Sequence, residues 1–111
     1  MKKKWGKWEL SQYWNGKEYE EQIVFEPRKY SYDIAISRME TLEKQLHWIA
    51  QLGSKTWTTN QDLLDLSSFM RDKFGSTTPG IVLANHVRID YRNLPKVCEE
   101  LGIPDQTFMG L

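Results

Sequence analysis

The chain has 111 residues, 40% of them apolar and 27% charged, which suits one hydrophobic core and excludes a disordered or fibrous protein. Fifteen basic and fifteen acidic side chains cancel, and this neutrality speaks against a dedicated duplex-DNA binder, whose affinity comes mostly from phosphate neutralisation. No apolar leader follows Met1, no run of about eighteen apolar residues reads as a membrane span, and the lone Cys98 cannot make an internal disulfide; a cytoplasmic, reducing setting is expected.

The expected domain is a single unit over residues 1–111, with 1–4 and 105–111 as its loose ends. Asn15-Gly16 is the favoured pair for a two-residue hairpin turn, since a type I′ turn needs positive φ at both central positions. With that turn, Trp14 lies opposite Lys17 and Trp8 opposite Ile23. One mostly apolar face then collects Trp8 with Ile23, Leu10 with Glu21, Gln12 with Tyr19 and Gly6 with Phe25, and the other, mostly polar, collects Lys7 with Val24, Glu9 with Gln22, Ser11 with Glu20 and Tyr13 with Glu18. That sorting is what a half-buried sheet requires.

Pro27 ends the second strand, and Arg28 to Ser31 connect it to what reads as the main helix, Tyr32 to Leu52. Ala35, Met39, Leu42, Leu46 and Ile49 step by four and three along one face. That seam serves either as core or as a dimer contact, since two heptads do not define a coiled coil. Gly53 is the expected stop. After a loop with Lys55 and Trp57, a second helix starts at a Thr59 or Asn60 cap, carries Leu63, Leu66, Met70 and Phe74, and closes at Gly75. Ile81 to Tyr91 alternates and is β-branched, which favours a strand, with a helix beginning near Thr78 and Pro79 as the rival. Asn93 caps a last helix, Leu94 to Leu101, ended by Gly102. The sum is an α+β domain of order ββααβα, a small antiparallel sheet packed on helices.

The chemistry-bearing residues are sparse. His86, Arg88 and Asp90 would share one strand face and could serve a phosphoesterase or nuclease, but solvent-facing charge is the simpler account. His47, His86 and Cys98 lack the spacing of metal ligands, so no metal and no cofactor are expected. Acidic neighbours Glu99 and Glu100 raise rather than lower the Cys98 thiol's pKa, which argues against a nucleophile. The chain does not read as an enzyme.

Two interaction surfaces stand out instead. Lys2, Lys3, Lys4, Trp5 and Lys7 interleave cations with a ring, as single-stranded nucleic-acid binding requires. Trp48, Trp57, Lys55, Tyr30 and Tyr32 are left outside the apolar stripes and are the candidates for contact with a protein partner.

The stretch Leu46 to Leu66, LHWIAQLGSKTWTTNQDLLDL, resembles a pattern in small bacteriophage-encoded proteins, where an aromatic-bearing helix meets a Lys-x-Trp loop and a second helix. The resemblance implies an accessory protein that binds or inhibits a host factor in the bacterial cytoplasm. The expected function is therefore a small protein-interaction module, acting alone or as a homodimer. The alternative is single-stranded nucleic-acid binding through the basic N-terminus.

Overall fold

A computed structural model describes residues 3–25, 32–85 and 89–102. The fold is α+β. Four antiparallel strands, β1 (Lys4–Trp5), β2 (Trp8–Trp14), β3 (Tyr19–Phe25) and β4 (Tyr32–Ala35), form one sheet in chain order. Four helices follow, α1 (Leu42–Gly53), α2 (Asn60–Phe74), α3 (Thr78–Asn85) and α4 (Leu94–Leu101).

The β2–β3 hairpin forms, with its turn displaced by one residue. Asn15 N–H donates to the Glu18 carbonyl at 3.1 Å, so Gly16 and Lys17 are the central pair. Gly16 takes φ 101° and no other residue type has positive φ among the described residues, the pattern of a turn with glycine first. Asn15 stays outside the turn because its Oδ1 accepts from Lys17 N at 2.8 Å and Glu18 N at 2.9 Å. Trp14 consequently faces Tyr19 rather than Lys17, and Trp8 faces Phe25 rather than Ile23. The shift is two residues, so every side chain keeps its face. The observed pairs Trp8–Phe25 and Leu10–Ile23 join apolar to apolar, where the expected register had set Leu10 against Glu21.

Three members of the sorted faces depart from expectation. Tyr19 shares the helix-facing side yet is 69% exposed, because the hairpin tip runs past the helices. Glu9 and Val24 lie on the opposite face and are both buried.

The main helix is shorter than its periodicity suggests. Tyr32–Ala35 is a strand, with Phe25 opposite Tyr32 and Ile23 opposite Ile34, and Ile36–Arg38 is a single 3₁₀ turn. α1 begins only at Leu42, where Thr41 accepts from Lys44 N at 3.3 Å. Ala35 and Met39 matched the helical stripe by chance of spacing; strand pairing to β3 and the turn bury this segment instead. Met39, Leu46 and Ile49 are fully buried, so the seam is core and unavailable to a second copy.

α2 follows expectation closely. Thr59 and Asp62 make a reciprocal capping box, and Gly75 ends the helix in the left-handed conformation. The strand expected over 81–91 is not present at its start, where Thr78–Asn85 is helical. Ile81 is exposed, Val82 and Leu83 are buried and Ala84 is exposed, a helical spacing against α2 and α1 rather than an alternation. Residues 86–88, including His86 and Arg88 of the proposed trio, lie outside the described residues.

The core joins these layers. Trp8 is fully buried on α2, with its Nε1–H donating to the Asp62 carbonyl at 2.9 Å. Gly53, at the end of α1, touches the segment before α4: a Cβ there would stand 1.7 Å from the Ile89 carbonyl oxygen. That close approach brings Asp90 and Tyr91 onto α1. Asp90 Oδ1 accepts from Arg92 N at 2.9 Å and Asn93 N at 3.1 Å, and Asn93 Oδ1 accepts from Asp90 N at 2.9 Å. Asn93 therefore braces the loop and makes no side-chain cap bond to α4.

Candidate functional site

Three of the expected partner-binding residues converge. Trp57, in the α1–α2 loop, sits with its ring centroid 5.4 Å from Phe25 and 5.3 Å from Tyr32. Lys55 Nζ lies 5.9 Å from the centre of the Tyr32 ring, within reach of a cation–π attraction. All three are half-buried: the inner edges pack on the sheet and the outer edges meet solvent. Tyr30 lies outside the described residues.

Trp48 sits apart from that cluster, further back along α1. Its Nε1–H donates to the Arg38 carbonyl at 3.2 Å, and its ring is 6.0 Å from His47. A chain of polar contacts spans the gap. Gln51 Nε2 donates to the Tyr32 hydroxyl at 3.3 Å, and the Tyr91 hydroxyl donates to Gln51 Oε1 at 3.3 Å. The same Tyr91 oxygen is 3.2 Å and 3.3 Å from the two nitrogens of His47, and the rings are 5.5 Å apart. His47 and Gln51 are one helical turn apart, so α1 presents both on one side. The result is a continuous band: Trp57, Tyr32, Gln51, Tyr91, His47, Trp48.

The band is neutral in its titratable groups at pH 7. Burial lowers the His47 imidazole below its ordinary value, with Gln51 pulling weakly the other way. Burial raises the Tyr32 phenol, with Gln51 opposing, and burial followed by Tyr32 raises the Tyr91 phenol. Tyr91 is 44% exposed, and sequence reasoning missed it, together with His47 and Gln51. Placing Tyr91 at the end of a strand hid its role; nothing local in the sequence indicates that the segment before α4 folds onto α1.

The basic N-terminus is arranged differently from the expectation of a free ring among lysines. Trp5 is half-buried, stands edge-on to Phe69 at 4.9 Å and donates from Nε1 to Asp72 Oδ2 at 2.8 Å. That hydrogen bond, ahead of Arg71, holds the Asp72 carboxyl below its ordinary value. Lys3, Lys4 and Lys7 are exposed, and Lys7 Nζ lies 4.0 Å from the buried carboxylate of Asp62. Lys2 is outside the described residues. A second exposed pair, Trp14 and Tyr19, stands edge-to-face at 5.2 Å on the hairpin tip, and the displaced turn is what pairs them.

Among the described residues no group of three or more His, Cys, Asp or Glu could hold a metal ion, and no helix is long and apolar enough to cross a membrane. Asp90 of the proposed catalytic trio spends its carboxylate on the loop amides described above. Comparison with protein-family models, curated proteins and solved structures finds no match for this chain.

Proposed function

We propose that this domain is a protein-binding module that meets its partner through the band from Trp57 to Trp48. The observation that carries this reading is the continuity of the band: five rings and one amide lie edge to edge on α1 and its neighbours, each with part of its surface open. Tyrosine and tryptophan dominate interaction hot spots because they combine large area, few rotatable bonds and a polar tip. The host-directed, accessory role implied by residues 46–66 fits the same reading, with a host protein as the partner.

The test is affinity capture from a bacterial lysate with the full chain, its Tyr91→Ala variant and a Trp14→Ala control on the far tip. Tyr91 is an exposed ring whose removal leaves the core untouched, so the variant should fold. A protein retained by wild type and by Trp14→Ala but lost with Tyr91→Ala supports the reading. Identical capture by all three removes it.

A further inference from the structure

Beyond the band, Trp48 borders a surface hollow of about 220 Å³ whose other walls are Arg38, Lys44 and His47. Both cations are exposed. Among the described residues neither enters an ion pair, whereas Arg71 and Lys73 on α2 are bound to Asp72 at 3.3 Å and Glu21 at 2.7 Å. Among the described residues, two cations without an ion pair thus stand around one indole ring. His47 adds no charge at neutral pH.

We infer that, within the protein-binding reading, this hollow receives an acidic segment of the partner: one carboxylate between Arg38 and Lys44, and a neighbouring apolar side chain on the Trp48 ring. Charge complementarity selects the occupant. Arginine presents a fork of donors that matches a carboxylate, and a lysine at its side adds a point charge. The hollow takes the carboxylate side chain, and the Trp48 ring at its border takes the apolar one. Asp33 lines the adjoining hollow on the outer face of the sheet, together with Arg38 and Trp48, and Glu40 and Glu43 flank Trp48's helix at its start. Those carboxylates would repel a polyanion such as a nucleic-acid strand, while a single carboxylate held by the two cations stays clear of them. No glycine-rich loop supplies the backbone amides of a phosphate cradle.

The probe is an acetylated, amidated leucine–glutamate–leucine tripeptide with one carboxylate, titrated into the full chain and followed through the Trp48 indole N–H resonance. The glutamine-for-glutamate peptide and inorganic phosphate are run beside it. The expected result is a shift at Trp48 with an affinity on the order of millimolar, weakened about tenfold by the glutamine peptide and lost in Arg38→Gln with Lys44→Gln. Both substitutions replace exposed side chains; if the pair fails to fold, Lys44→Gln alone serves, with a partial loss expected. An unmoved Trp48, equal shifts from both peptides, or an equal shift from phosphate alone would overturn the inference. Trp14→Ala, on the exposed far tip of the hairpin, should leave the peptide titration unchanged, and because the titration reads Trp48 with no captured partner present, its failure is separable from failure of the band.

Discussion

Tyr91 is held by its hydroxyl rather than by burial of its ring. Its oxygen reaches Gln51 and both nitrogens of His47 at 3.2 to 3.3 Å, long for hydrogen bonds that involve a hydroxyl, so these contacts align the ring without locking it. His47 is the titrating member. Because burial lowers its folded-state pKa, the unfolded chain takes up the proton first as pH falls. The stabilisation is thus complete above about pH 6.5 and is lost as pH drops from there through the lowered folded value. Thermal unfolding of wild type should show a falling midpoint over that window, and His47→Gln should flatten it. Parallel profiles for the two proteins would exclude His47 as the cause. The same residue shows how far the sequence could be read: its two nitrogens and lack of ligand partners were visible, but the tyrosine that meets it lies 44 positions away.

At the scale of elements, turns and caps decide more than stripes do. The Thr59–Asp62 box satisfies two amides reciprocally, Asp62 N to Thr59 Oγ1 at 3.1 Å and Thr59 N to Asp62 Oδ2 at 2.9 Å. Thr59→Ala should cost about 1 kcal/mol of unfolding free energy and Thr59→Ser much less, as measured by urea titration. The cap, the Gly75 stop and the span of α2 were legible because each rests on chemistry within a few residues. The hairpin was legible in its faces and not in its register. Facing depends on period two, which survives a two-residue slip, whereas register depends on which of two adjacent pairs makes the turn. Asn15 decided that by accepting from two amides with its side chain. β4 was hidden for another reason: Tyr32–Ala35 carries too few residues for alternation to outweigh a helical stripe that happens to continue through Met39. The segment after Thr78 reversed for a similar reason, since Ile81-Val82-Leu83 is apolar at every position and fits either period.

At the scale of the whole molecule, the sheet and the helices divide the work. The buried face of Trp8, Ile23, Phe25 and Ile34 anchors the sheet on α1 and α2, and the candidate surface is assembled from four separate pieces of chain: β4, α1, the Trp57 loop and the segment carrying Tyr91. No local reading could assemble such a surface. It also distributes the tolerance to change unevenly. At the hairpin tip, Gly16 has no atom within 4 Å of where a Cβ would stand, so what resists a substitution there is its φ of 101° and not crowding.

Gly53 is the opposite case. The hydrogen it carries in place of a side chain sets the distance between α1 and the chain at Ile89, and Tyr91 lies only two residues further on. A methyl group there would have to push a backbone carbonyl aside from a 1.7 Å approach, at an overpacking cost of about 1 to 3 kcal/mol. Gly53→Ala should therefore lower the unfolding midpoint and, in the same step, weaken the nuclear Overhauser contact between the Tyr91 and His47 rings; an unchanged contact would show that the segment absorbs the methyl elsewhere. The smallest residue of α1 acts in this sense as the spacer of the proposed interface, so that recognition and stability are joined at one buried position.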